Sequence, residues 1–436
     1  MQARTHRRQR QAPLITKGRG HGRYAAQALG KTASLGGVAL CGFRVTRSAL
    51  SSGHPAYAVA ALAAAVAAVL VGCTSPSSSR AGHPLGAAST PLPRSSSPSP
   101  STPPRPATAF RLLPASGPGH LAAGSDPQAL PGDVLIADEN NRRLLLVDPY
   151  GRIRWVFPSP GALRPDQVFG PPDDAFVSPD GRSIVATQEE DQTISVIDIA
   201  TGRITRRYGH PGVPGSVPGY YYHPDDAMLL PGGQILVADI LNCRILLLSA
   251  RGIARQLGST STACSHDPPR QFAQPNGAFP LTDGHYLITE ILGDWVEEMS
   301  LSGQVYWSAH PPGVSYPSDA NEVSPGRYIV ADYSSPGQVV MFGRTGKLLW
   351  RFRPAGAAAL DHPSLALPLP NGNILVNDDY NDRVIVISPR TNRIVWQYGH
   401  DGVSGSAPGY LANPDGVDLA PPDSLLMMHA ATMGTP

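Results

Sequence analysis

Six short segments place an oxygen- or nitrogen-bearing side chain directly after a proline: Pro172-Asp-Asp-Ala, Pro224-Asp-Asp-Ala, Pro275-Asn-Gly-Ala, Pro317-Ser-Asp-Ala, Pro363-Ser-Leu-Ala and Pro414-Asp-Gly-Val. They recur at intervals of 42 to 52 residues. If the fold gathers them, the side chains of Asp173, Asp225, Asn276, Ser318, Ser364 and Asp415 form a set of hard oxygen donors from six directions. Such a set suits Ca2+ or another divalent cation, with Asp173, Asp225, Asn276 and Asp415 as the metal candidates. His223 and His362, each one residue before the proline, could serve a borderline metal. The competing reading is that these Asp and Asn side chains cap turns through bonds to their own backbone. A second acidic set lies further along the repeats: Asp138 and Glu139, Glu189 to Asp191, Asp239, Glu290, Asp332, Asp378 and Asp379.

A longer motif occurs twice. YGHPGVPGSVPGYYYHPDDA begins at Tyr208 and YGHDGVSGSAPGYLANPDGV begins at Tyr398. His210, Tyr220, His400 and Tyr410 are therefore candidate ligand-contacting residues, together with His223 and His362. The alternative is a duplicated Gly/Pro turn whose His and Tyr pack locally. The region from Asp126 onward has no HExxH, GxSxG, P-loop or CxxC pair. No nucleophile or general base stands out, and whether the protein is an enzyme is left open.

The elements that must position these residues follow from what surrounds each proline. A short apolar run comes first, then a turn (SPDG, LPGG, LTDG, SPG, LPNG), then a β-branched run such as Ile235-Leu-Val-Ala-Asp or Ile374-Leu-Val-Asn-Asp. A polar loop and another apolar run follow, such as Arg244-Ile-Leu-Leu-Leu or Arg383-Val-Ile-Val-Ile. The unit closes on a strand ending in Trp, as in Gly151–Trp155, Gly303–Trp307, Gly346–Trp350 and Asn392–Trp396. Each unit reads as four short strands joined by tight turns, which at this period is a blade of an all-β propeller. The 45 Gly and 46 Pro fit a turn-rich chain with few long helices. Six blades of four antiparallel strands are expected. The sixth joins Asp133–Phe157 to Pro414–Ala420, so that N- and C-terminal strands close the ring and remove its edges. The run Ser424–His429 is left over by this count, which keeps seven blades as the alternative. The Trp of the closing strands recur at equivalent places and are expected to pack between blades.

At this point the chain resembles the NHL-type and related six-bladed propellers of exported bacterial proteins, on the units PDDA…LPGGQILVAD…NCRILLL and PNGNILVNDDYNDRVIVI. The segment TGKLLW is similar to part of the tryptophan-docking (PQQ-like) repeat of quinoprotein propellers, and LPNGNILVND to bacterial arylsulfotransferases. Asn276-Gly277 and Asp415-Gly416 resemble the metal-holding positions of calcium-dependent propeller lactonases. The resemblance implies an architecture, on which lactonases, lyases, sulfotransferases and binding modules all occur. Quinone docking is disfavoured, because those propellers usually have more blades and a fuller Trp motif.

The front of the chain is of another kind. Residues 1–50 hold ten Lys or Arg and no acid, and the first carboxylate is Asp126. Ala56–Gly72 is a short apolar stretch preceded by Arg44 and Arg47, the layout of a secretory signal peptide. Leu70-Val71-Gly72-Cys73 resembles the lipobox of bacterial lipoproteins, which implies lipidation at Cys73 and membrane attachment by that lipid alone. The alternatives are an ordinary signal peptide or an anchor helix. The basic stretch before Arg44 is longer than a signal peptide needs, which points to a start assigned too early, with a nucleic-acid-binding arm as the weaker reading. The expected organisation is a leader over 1–72, a Ser/Pro-rich disordered tether over 73–124 and a propeller over 125–436.

Export makes Cys243 and Cys264 a disulfide pair, with two free thiols or half a metal site as the alternative. From Asp126 onward the chain carries 21 basic and 33 acidic residues, a net of −12. That balance argues against nucleic acid as a partner. The expectation is a monomer on the extracytoplasmic face of the cell membrane that binds a small molecule or an extracytoplasmic protein through an acidic loop face. A metal-dependent lactonase- or lyase-like enzyme, or a sulfotransferase using a channel histidine, is the alternative.

Overall fold

The computed structural model describes residues 119–260 and 263–422. The expected leader and signal peptide, Cys73 and nearly all of the expected tether lie outside the described residues, as does Ser424–His429. The described strands form six four-stranded antiparallel sheets arranged as a ring, a six-bladed β-propeller. Among the described residues there is no α-helix, only five single-turn 3-10 segments. None of these is long and apolar enough to cross a membrane.

Numbered in chain order, β1–β3 are Val134–Asp138, Arg143–Val147 and Ile153–Phe157. Blade one comprises β4–β7 (Ala175–Val177, Ser183–Gln188, Thr193–Asp198, Arg203–Gly209), and blade two β8–β11 (Pro224–Leu229, Ile235–Asp239, Arg244–Ser249, Gly252–Leu257). Blade three comprises β12–β15 (Pro275–Pro280, Tyr286–Glu290, Trp295–Met299, Val305–Ala309). Blade four comprises β16–β19 (Pro317–Ser324, Arg327–Asp332, Gln338–Gly343, Leu348–Phe352), and blade five β20–β23 (Ala366–Pro368, Ile374–Asp378, Arg383–Ser388, Arg393–Gly399). Blade six is completed by β24 (Pro414–Leu419), which pairs antiparallel with β1, Val134 opposite Leu419 and Ile136 opposite Val417. The two ends of the described chain thus share one sheet, as the repeat count requires.

The burial pattern explains why the middle strands read as unbroken apolar runs. In β1, β9 and β21 every residue is buried, because each blade is covered on both faces by its neighbours. Outermost strands such as β7 and β11 are mostly half-buried or exposed, with a single buried residue each. The buried side chains fall into six clusters, each lying mainly between adjacent blades; Leu135, Trp155, Ile184 and Ile204 join blades six and one, for example. Trp155 and Trp396 are almost fully enclosed in two of these cores.

Three blades carry the same buried ion pair at the end of the second strand. Asp138–Arg143 (2.6 Å), Asp239–Arg244 (2.7 Å) and Asp378–Arg383 (2.7 Å) each link residues opposite one another in the ladder. The guanidinium then donates to carbonyls of the loop that leads into the blade: Arg244 to Ser216 and Tyr220, Arg143 to Ser406 and Tyr410. Asn242 and Asn141 add donors to the Gly215 and Gly405 carbonyls. These clamps account for the duplicated Tyr-Gly-His loops, which dock on equivalent pairs. Gly209 and Gly399, which end the preceding strands with φ +86 and +96, abut the Gln192 and Asp382 carbonyls so closely that no Cβ would fit.

Cys243 and Cys264 form a disulfide with a Cα–Cα distance of 5.3 Å. It ties the long segment between blades two and three to the turn after β9.

Candidate functional site

Four of the six innermost strands, β8, β12, β16 and β24, begin with a β-bulge. In β8, Pro224 lies opposite Asp239 and Ala227 opposite Val237, so two residues, Asp225 and Asp226, face a single partner position. The same shift occurs after Pro275, Pro317 and Pro414. A regular strand would turn consecutive side chains to opposite faces; the bulge re-aims them. Both residues after the proline can therefore reach the axis of the ring.

The result is a narrow channel with two tiers. Asp173, Asp225, Asn276, Ser318, Ser364 and Asp415, one from each blade, all line it, together with Glu189, Tyr316 and Tyr333. Asp174 and Asp319 lie below, with Asp226 beside them; one carboxylate oxygen from each of these three lies within 4.8 Å of the others. Asp173, Asp174 and Asp225 form a second such group. The lining residues include no Lys, Arg or His. The cavity is about 80 Å³, room for a cation and a few waters.

Two glycines keep the lower tier open. A Cβ on Gly277 would stand 2.6 Å from Asp319 Oδ1 and 2.5 Å from Thr289 Oγ1, and one on Gly416 would stand 2.5 Å from Asp174 Oδ1. Toward blades five and six the acids give way to Leu365 and Gly416. There Asn377 fills the space, donating to Ser364 Oγ, to Asp379 Oδ1 and to the Pro414 and Asp415 carbonyls.

The electrostatics of this arrangement are unfavourable as it stands. Burial, reinforced by the neighbouring carboxylates, pushes Asp173, Asp174, Asp226 and Asp319 well above the ordinary carboxylate range. Burial lifts Asp225 to about 7 and Asp415 to about 6. Asp174, Asp226 and Asp319 are 4%, 0% and 1% exposed, yet the Oδ1 atom of each has no hydrogen-bond partner. Asp226 Oδ2 accepts from the Ala278 amide at 3.2 Å. The upper tier is better served: Asn276 Nδ2 donates to Ser318 Oγ (3.2 Å) and Ser364 Oγ to the Asp415 carbonyl (2.6 Å). Buried carboxyl groups with unused lone pairs and no basic side chain in the channel lining fit a cation bound by oxygen, which would let them ionise.

Of the remaining candidates, His223 and His362 sit at the edge of the channel, against its lining residues Glu189 and Tyr333. His210 stacks on Tyr220, and His400 lies against Tyr410, both with ring centroids 4.2 Å apart, inside their own loops. His223 meets Glu189 Oε1 through Nδ1 at 2.8 Å, and His362 meets Asp361 at 2.7 Å beside Tyr380. Of the second acidic set only Glu189 lines the channel. Asp138, Asp239, Asp332 and Asp378 instead accept amide hydrogen bonds from the incoming loops, at Ala412, Tyr222, Tyr316 and Asp361.

Sequence reasoning passed over Asp174, Asp226, Asp319, Tyr316 and Tyr333. The signal for the three aspartates was present in the repeated Pro-x-Asp, but period-two alternation assigns that residue to the opposite face.

Residues 294–418 match the family model described as outer membrane protein assembly factor BamB, a PQQ-like repeat model. No curated protein matches the chain in sequence. Among solved structures, it is similar to a protein of unknown function from Bacteroides caccae (16% identity, 66% of this chain and 98% of that one, TM-score 0.47). It is also similar to a streptogramin B lyase (19% identity, 72% and 93%, TM-score 0.44) and to virginiamycin B lyase from Staphylococcus aureus (16% identity, 66% and 87%, TM-score 0.42). The class defined by the fold is a six-bladed β-propeller, and the match to a PQQ-like repeat model covers residues 294–418 of it.

Proposed function

We propose that this protein is an exported, lipid-anchored binding module whose channel holds a hard divalent cation, Ca2+ foremost. Its acidic mouth takes the oxygen donors of a small molecule or of an extracytoplasmic protein. The observation that carries this reading is the set of three buried, unpartnered Oδ1 atoms of Asp174, Asp226 and Asp319 in a channel without a basic lining residue. A cation there relieves the repulsion between carboxylates and gains several oxygen ligands at once. Asp173, Asp225, Asn276 and Asp415 would complete its shell or meet the ligand from above, and Tyr316 and Tyr333 would flank that ligand.

A ligand that binds only the folded state stabilises it by about 2.7 kcal/mol at a hundred times its dissociation constant. Chelator should therefore lower the melting temperature of the purified protein and Ca2+ should restore it. Identical melting with chelator and with added cations would refute the cation.

The anchor rests on the apolar stretch ending at Leu70-Val71-Gly72-Cys73, and the outer-membrane wording of the BamB family description is consistent with an exported chain. Cys73→Ala should release the protein from the membrane fraction or leave it unprocessed; unchanged fractionation and migration would rule the anchor out.

A further inference from the structure

Blade three breaks the rule that the other blades keep. The carboxylate or amide ending the second strand faces a polar partner in every other blade: Arg143, Arg244 and Arg383 opposite Asp138, Asp239 and Asp378, Gln338 opposite Asp332, and Thr193 opposite Gln188. In blade three the acid is Glu290 and the residue opposite is Trp295. A second acid, Glu297, stands two residues further along the same strand, opposite Ile288. The corresponding positions are Leu145, Leu246 and Ile385 in the blades that carry the ion pair. Glu290 and Glu297 are both fully buried. Glu290 accepts from the Ala273 amide at 2.5 Å, and Glu297 Oε2 from Ser308 Oγ at 3.3 Å, but Glu297 Oε1 has no partner.

The position left by the arginine is taken from outside the blade. His266 sits in the segment between blades two and three, with Nδ1 3.0 Å from Glu290 Oε1 and 3.9 Å from Glu297 Oε2. Its ring lies flat on Trp295, centroids 4.0 Å apart at 7°, and the disulfide-bonded Cys264 is only two residues away. The imidazole is thus held in place over two carboxylates while remaining partly open to solvent. One ligand atom from each of the three residues lies within 4.8 Å of the others.

We infer that His266, Glu290 and Glu297 form a binding site for a borderline divalent cation of the zinc type, separate from the channel. One imidazole nitrogen and two carboxylates make a mixed N/O donor set, which zinc accepts in a four-coordinate shell with the last position left to water. Calcium would need six to eight oxygens, which these residues do not supply. A zinc ion also gives Glu290 and Glu297 the cation that three other blades supply to their acids as arginine.

The test is a zinc titration of chelator-stripped, purified full-length protein in excess Ca2+, followed by calorimetry and metal analysis, with Co2+ as a spectroscopic probe. Wild type should take up one equivalent of zinc. His266→Ala and Glu297→Leu should each weaken zinc binding by about tenfold or more, since even outer-shell changes cost that much, and both should lose the visible absorption of bound Co2+. Asp226→Asn should leave zinc binding unchanged. Glu297→Leu installs the residue found at Leu145 and Leu246, so its metal-free melting temperature should equal or exceed that of wild type, which separates lost binding from lost fold. No uptake, uptake that survives both blade-three variants, weakening by His266→Ala alone, or weakening by Asp226→Asn alone would each overturn the site.

Discussion

At the scale of single residues, the molecule is governed by carboxylates kept out of water. Asp418 shows the consequence in isolation: it accepts from the Val177 amide at 2.8 Å, and burial lifts its pKa from 3.8 to about 7. For an acid with a raised folded-state value, the stabilising contribution is complete below the unfolded value. It is lost as pH rises through the folded one. The wild type should therefore lose stability between about pH 4 and 7 relative to Asp418→Asn, by about 2 kcal/mol after allowance for partial solvent access. Urea unfolding of both proteins across that range measures the difference. A difference that does not change with pH would mean that Asp418 ionises in the folded state as freely as in the unfolded chain.

At the scale of elements, the bulge and the ion-pair clamp set where side chains point. Arg244 is the clearest clamp, because it neutralises a fully buried Asp239 and holds the loop carrying His210 and Tyr220 by two carbonyls. Arg244→Ala leaves a buried charge without its partner, a change that costs about 3–5 kcal/mol. Amide exchange in residues 210–223 should quicken with it, and a variant that melts and exchanges like wild type would contradict the clamp. The blades themselves were legible in the sequence, since Pro-x-x-Ala, LPGG-type turns and β-branched runs recur with a period that only stacked four-stranded units explain. The pairing of Asp133–Phe157 with Pro414–Ala420 followed from the same count. The upper tier of the channel was legible too, as one residue per repeat. The lower tier was not, because a bulge leaves no mark in hydrophobic alternation and Asp174, Asp226 and Asp319 read as the far side of the strand. The roles of Asp138, Asp239 and Asp378 were hidden for a related reason: their arginines are distant from the loops they hold in sequence, and only the ladder register brings the groups together.

At the scale of the whole molecule, the channel depends on closure. The channel is lined by side chains 42 to 52 residues apart in the chain, and they share one axis only because β24 pairs with β1 and completes the ring. The six interblade cores fix that geometry, so the acids cannot move apart to relieve their repulsion. The central claim is that a divalent cation relieves it instead. Calorimetric titration of chelator-stripped protein with Ca2+ tests this most directly, with Asp226→Asn beside the wild type. The account predicts saturable calcium binding by the wild type and binding weakened by about tenfold or more in the variant, whose metal-free form melts higher because a buried carboxyl crowded by Asp174 and Asp319 has become a neutral amide. Absence of calcium binding in the wild type, or equal binding in both proteins, would contradict it.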